Sequence, residues 1–428
     1  MERQFDPILR DELYTERLEN GLTVAVLVKP GYRQMTGRVA VHYGSIDSRF
    51  VNPQTGKAVH VPDGIAHFLE HKLFESPEGN VADRFSELGA EANAYTTYTH
   101  TVYYFTTTDQ FNECLDLLLG FVQEPYFTAE TVAKEQGIID QEIRMYLDDP
   151  GWRSSANLLE ALYVRHPVRI DIAGTVDSIR KIDKDLLYVC HRIFYHPSNM
   201  VVFVAGDLDP EQVVERVRAA FAGREYPAQQ EIERILPEEP PVINERRKMQ
   251  ELVVSQPILR LGFKEKEVGL TGRALLERDL LTSLLLDVVI GKGSALYTRL
   301  YECGLIDQRF GFEHVPEVSF GHTYLTGPTH DPSELEARLL AGLHEAQQQG
   351  LAEADFERAR RKLMGRVINL MNDLEGAAFL YIDGFFKQIG LFDLLPTLQS
   401  LTLEAANERL RSHFDPALAA ASIIYPRR

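Results

Sequence analysis

The sequence predicts an α+β fold of two homologous domains, each a mostly antiparallel β-sheet packed with helices. Three observations predict it. The chain has 428 residues, more than one hydrophobic core normally serves, so two domains of roughly 200 residues are the default. Strand-like and helix-like segments mix without strict βαβ alternation. The second half also repeats the first: ADRFSELG (82–89) resembles YTRLYECG (297–304), and AETVAKEQGIIDQEIRMYLDD (129–149) resembles AEADFERARRKLMGRVINLMND (352–373).

In chain order, LTVAVLV and GRVAVHYG within 22–44 are β-branched and partly alternating, with turn residues KPGYRQ between them. A polar loop (45–64) leads to the helix around HFLEH, which Asp63-Gly64 punctuates. Residues 79–89 read as a short helix ending at Gly89, and the Thr/Tyr/Val-rich stretch to 108 as two strands. FNECLDLLLGFVQEPYF (111–127) has helical spacing. A long helix follows over 129–149, with Thr128 as its cap and Pro150-Gly151 past its end. Residues 154–163 and 178–195 read as helix, 199–208 as strand and 209–223 as a capped helix. Four prolines among charges in 223–250 mark a linker. This divides the chain into 1–225, a linker 226–245 and a second domain 246–428. That second domain reads as strands at 251–265, 322–328 and 421–426, with helices at 278–304 and 352–374.

Composition is that of a globular protein, 44% hydrophobic and 25% charged. A net charge of −18 disfavours nucleic acid and anionic membranes as partners. No run approaches the roughly 18 apolar residues of a membrane span. The polar start lacks a secretory h-region. Cys114, Cys190 and Cys303 are scattered and odd in number, which fits a reducing compartment. These features predict a cytoplasmic protein.

The chemistry concentrates in His67-Phe68-Leu69-Glu70-His71. Histidines four apart share a helix face, so one ion can take both imidazoles, and Glu70 projects beside them. Two imidazoles with a nearby carboxylate suit hydrolytic zinc chemistry, here in the inverted order H-x-x-E-H. Chance would produce about 0.03 such patterns in a chain of this composition. Aligning Arg84 on Arg299 sets His67, Glu70 and His71 against Thr282, Leu285 and Leu286. The repeat therefore carries an apolar copy, and the fold does not require the polar residues. A catalytic zinc wants a third protein ligand. The helix 129–149 offers Glu130, Glu135, Asp140 and Glu142, of which Glu135 and Glu142 share a face, and spacing does not choose between them. In the repeat, Arg366 stands opposite Glu142.

HFLEH, EANAYTTYTHTVYY, KEQGIIDQEI, HPVRIDIAGT and YHPSNMVVFVAGDLD follow one another in an order that resembles the pitrilysin/insulinase family of inverted zincins, which includes the mitochondrial processing peptidase. The similarity is greatest to its bacterial short-chain, processing-peptidase-like members. The resemblance implies one Zn2+ per chain, held by His67, His71 and Glu142. Glu70 would activate water, and Glu135 would support the site. It implies a metalloendopeptidase that cuts peptides or small unfolded proteins, each chain forming half of a clamshell whose two subunits enclose a chamber. It also implies that EANAYTTYT is an edge strand binding extended peptides, with Asn93 and Ala94 at the family's substrate positions.

Active members of that family use an Arg and, seven positions later, a Tyr to hold the substrate carbonyl. Here Arg299 matches the Arg, but Ile306 stands at the Tyr position. The expectation is a heterodimer with a paralogous subunit supplying an Arg/Tyr pair. A homodimer using Arg299 and Tyr301 is the alternative arrangement, and a non-catalytic assembly subunit the alternative function. His100, His166, His191, His196 and His330 lack metal spacing and read as structural or surface residues. Gly291-Lys292-Gly293-Ser294 reads as a helix break and Trp152 as core.

Overall fold

The apolar run MVVFVAG forms a strand, Met200–Gly206, buried at every position. It lies within a seven-stranded sheet and pairs parallel with Thr23–Val28 and antiparallel with Met35–Val41. A strand buried on both faces needs no polar alternation, which explains its unbroken apolar character. The computed structural model describes residues 1–227 and 231–427. In space the sheet runs Glu2–Asp6, Asp11–Arg17, Thr23–Val28, Met200–Gly206, Met35–Val41, Thr101–Thr107, Glu91–Thr96. Among the described residues the last strand is an edge, paired only with Thr101–Thr107. The mixed α+β architecture and its antiparallel-rich sheets are those expected from the sequence. The two N-terminal strands, Glu2–Asp6 and Asp11–Arg17, are additions to that expectation.

The chain forms two compact units, and neither is contiguous. The first comprises Met1–Ile143, Asp171–Leu236 and Leu370–Asp383; the second comprises Arg144–Ile170, Pro237–Asn369 and Gly384–Arg428. This differs from the contiguous 1–225 and 246–428 read from the linker. The reason is packing. In the first unit, Tyr381 stacks on Phe203 of the central strand at 4.8 Å, and buried Lys29 binds both Asp11 (2.5 Å) and the carbonyl of Met371 (2.7 Å). In the second, Leu158 of the helix Pro150–Leu162 lies so close to the sheet that a Cβ on Gly262 would come within 2.7 Å of it. Arg260 stacks on Tyr324 (4.3 Å) and donates to Ser154 and Ser155 of that helix. Each sheet is thus covered by a helix from the other half of the sequence.

The linker is less free than its composition suggests. Arg234 forms a β-bridge with Phe50 and an ion pair with Asp47 (2.9 Å) in the first unit. In the second unit, Glu239 accepts the backbone N–H groups of Val164, Arg165 and His166 and pairs with Lys264. Residues 228–230 of the expected linker lie outside the described residues.

The second unit contains a five-stranded sheet, in spatial order Arg247–Leu252, Ala419–Pro426, Ile258–Lys264, Gly321–Pro328, Gly311–Pro316. Its core joins Leu259, Leu261 and Phe263 to Leu280, Leu284, Leu285 and Leu286 of the helix Gly272–Val289. The helices Ala129–Asp148 and Glu353–Asn372 have the same length, which keeps Arg366 in register with Glu142.

Backbone contact starts the helix Ile65–Leu73. Its N-cap, Gly64, is left-handed (φ 90°) and has no side-chain cap, so Asp63 does not serve as one. A Cβ on Gly64 would stand 2.4 Å from the Ala173 carbonyl, and one on Gly174 2.5 Å from that of Asp63. Gly64→Ala is therefore expected to destabilise the protein by about 2–4 kcal/mol, combining left-handed strain with overpacking. Chemical denaturation measures this directly.

The helix Lys184–Phe194 is held through His191, whose Nε2–H donates to the Val122 carbonyl (2.9 Å). His166 accepts the Val168 N–H, and His196 and His330 bond to the carbonyls of Pro227 and Gly304, as structural residues do. Burial pushes His191 from 6.5 down to about 4. The folded chain keeps it neutral while the unfolded chain takes up a proton, so its stabilisation is full above pH 6.5 and is lost as pH falls toward 4. His191→Gln is expected to remove on the order of 3 kcal/mol of that acid-side loss, read as a flatter dependence of unfolding free energy on pH.

Candidate metal centre

The helix Ile65–Leu73 buries Ile65, Phe68, Leu69 and Leu73, which fixes the direction of the opposite side chains. That direction is toward the helix Ala129–Asp148, held in place by buried Val132, Ile139 and Ile143. The ligand-type atoms of His67, His71 and Glu142 lie within 4.8 Å of one another, and no other such group of three occurs among the described residues. His67 Nε2 is 3.7 Å from Glu142 Oε1, and His71 Nε2 is 3.6 Å from Glu142 Oε2. These separations exceed a hydrogen bond. Donor atoms arranged tetrahedrally about a zinc-sized ion at its usual bond lengths sit about 3.3–3.6 Å apart, so the three residues fit a shared metal ion better than they fit each other.

The remaining atoms support that assignment. His71 Nδ1 donates to Glu135 Oε1 at 3.0 Å, which leaves Nε2 with its lone pair facing Glu142. His67 Nδ1 is buried without a hydrogen-bond partner among the described residues, so packing rather than a hydrogen bond orients that ring. Burial, then the neighbouring His71, push His67 down to about 3, which keeps its imidazole neutral. His71 is raised: burial opposes its charge, but the Glu135 hydrogen bond and the Glu70 and Glu142 carboxylates outweigh it. A field that favours a proton at His71 favours a metal cation in the same place. The side chains of His67, Glu142 and His71 are 12%, 20% and 27% exposed, so the group opens to solvent on one side.

Glu70 stands beside this group and is 8% exposed. Burial raises its pKa, and a hydrogen bond from Thr96 Oγ1 to Oε2 (2.5 Å) pulls it back. Asn93 and Ala94 lie on the edge strand Glu91–Thr96, where Asn93 Oδ1 accepts the Ala94 N–H at 2.8 Å. Thr96 is the one threonine of that strand, and Thr97, Thr99 and Thr101 follow it closely enough that composition does not single it out. The signal was the two-residue period, which puts Thr96 on the same face as Ala94. Arg299 belongs to the second unit, where it is exposed and pairs with Glu345 (3.1 Å). Ile306 is buried in that unit's core, and Tyr301 is exposed and stacks on Tyr297.

Family-level sequence comparison matches residues 54–176 to "Insulinase (Peptidase family M16)" and residues 181–363 to "Peptidase M16 inactive domain". The zinc protease YmfH of Bacillus subtilis (strain 168), itself uncharacterised, is 43% identical over 396 residues, which cover 92% of this chain and 92% of that protein. The crystal structure of an M16-like peptidase from Alicyclobacillus acidocaldarius superposes with a TM-score of 0.94 at 40% identity, over 97% of this chain and 99% of that one. Pitrilysin, at 16% identity and a TM-score of 0.73, shares the fold, with 100% of this chain lying on 46% of pitrilysin. Similarity that runs the length of both chains, with each half matched in its own place, means that this chain belongs to peptidase family M16, the insulinase family.

Proposed function

We propose that this chain is a zinc metalloendopeptidase that cleaves peptides or small unfolded proteins, working as half of a two-subunit chamber. The convergence of His67, His71 and Glu142 at distances too long for hydrogen bonds and suited to a shared ion carries this reading. These three residues hold one zinc ion per chain, and Glu135 keeps His71 turned with Nε2 inward. Zinc, when bound, polarises the scissile carbonyl and acidifies the neighbouring water. Glu70 takes the proton of the attacking water and delivers it to the nitrogen of the leaving amine. The edge strand Glu91–Thr96 leaves backbone groups unpaired on its outer side, which supports binding of an extended peptide by main-chain hydrogen bonds at Asn93 and Ala94.

A second subunit completes this site. Ile306 offers no hydroxyl, and Arg299 is already paired with Glu345. A paralogous chain supplies the Arg/Tyr pair that holds the substrate carbonyl and stabilises the developing oxyanion. Cys114 and Cys190 are buried, Cys303 is exposed, and all three are free, which supports a reducing, cytoplasmic setting. No helix among the described residues is long and apolar enough to cross a membrane.

Glu70→Gln is expected to retain zinc and lower kcat for peptide cleavage by about 10²–10⁴-fold, the usual worth of a general base. Glu142→Gln is expected to lose zinc itself. Metal analysis beside a fluorogenic-peptide assay reads both. A wild-type chain that neither binds zinc nor cleaves peptide would establish an assembly role instead. Cleavage by the chain alone is expected to be weak and to rise on addition of the paralogue. Full activity without it would overturn the shared site.

A further inference from the structure

We propose that Thr96 is a positioning residue that sets which oxygen of Glu70 receives the proton. The inference rests on Glu70 being the proton acceptor and deepens that reading. Thr96 ends the edge strand, and its cross-strand partner in the ladder is Thr101. Thr101 is fully buried, and its hydroxyl donates to the Tyr43 carbonyl at 2.9 Å. A hydroxyl has one hydrogen, so Thr101 Oγ1, 3.2 Å from Thr96 Oγ1, can only accept from Thr96.

The Thr96 hydrogen therefore faces two acceptors: that oxygen and Glu70 Oε2 at 2.5 Å. The shorter contact to the charged group is the stronger. Thr96 is β-branched and stiff at χ1, and it sits in a paired strand, so its donor direction is set by the backbone. A Glu side chain has three rotatable bonds, and one fixed donor on Oε2 holds the carboxylate plane. It also makes Oε2 the less basic oxygen. Oε1 is left to take the proton: an O–H bond of water breaks as Oε1–H forms, and the same proton later passes to the amine nitrogen as the C–N bond breaks. The threonine hydroxyl thus orients the base without touching the reacting atoms.

The test uses the full-length, zinc-loaded chain with its paralogue, and the variants Thr96→Val and Thr96→Ser. Thr96→Val is expected to lower kcat about 10–100-fold, as loss of a supporting hydrogen bond typically does. KM and the zinc dissociation constant should stay within about twofold, and Thr96→Ser should restore most of kcat. Independently of activity, Thr96→Val should lower Tm in the wild-type background, and the shift should shrink in a Glu70→Ala background, where the stronger acceptor is gone and only Thr101 Oγ1 remains. Unchanged kcat in Thr96→Val overturns the proposal. So does a joint loss of kcat and zinc affinity that Thr96→Ser does not restore, or a Tm shift of the same size with and without Glu70. Absence of any cleavage by the wild-type pair overturns the peptidase reading, and this proposal with it.

Discussion

One hydrogen bond, His71 Nδ1 to Glu135 at 3.0 Å, joins two helices whose residues lie 64 apart in sequence, and the polar cluster depends on it. Glu135 is almost completely buried, and a carboxylate is held there only with a partner. By taking the Nδ1 hydrogen it settles which nitrogen of His71 keeps its lone pair. It lies on the same face of the long helix as Glu142, two turns further on, which faces both imidazoles.

Much of this was legible in the letters. The four-residue spacing of His67 and His71, the duplication of helices and the α+β class all rest on short-range periodicity. The third acidic residue was legible only as a set of four, because a helix face narrows the choice without naming the neighbour. Folding brings Glu135 and Glu142 to the histidines and leaves Glu130 exposed. Thr96 was hidden because threonine is an ordinary strand former, and its role comes from a helix 26 positions away. The non-contiguous units were hidden for a related reason. An amphipathic helix such as Pro150–Leu162 shows that it covers something, and its own pattern does not say which sheet.

The duplication shows what the polar cluster costs. At the corresponding helix of the second unit, Leu285 and Leu286 are core residues, and Thr282 is tied to Arg409 and its own helix backbone. Arg366 occupies the place of Glu142 and Ala359 that of Glu135, by the equal lengths of the long helices. The second unit therefore places Leu285, Leu286 and a self-contained buried Arg409–Glu265 pair where the first holds two imidazoles and three carboxylates close together. Polar groups gathered at that density destabilise a fold unless hydrogen bonds, a ligand or a cation compensate them.

The interleaving of the two units has a consequence for biogenesis. The first sheet is covered by Leu370–Asp383, a segment the ribosome delivers only when nearly the whole chain has been made. Until then its strands expose an apolar face, and the helix Pro150–Leu162 waits for strands still to be translated. Neither unit can complete its native contacts until most of the chain has been made. Each half of the sequence is therefore incomplete as a folding unit by itself.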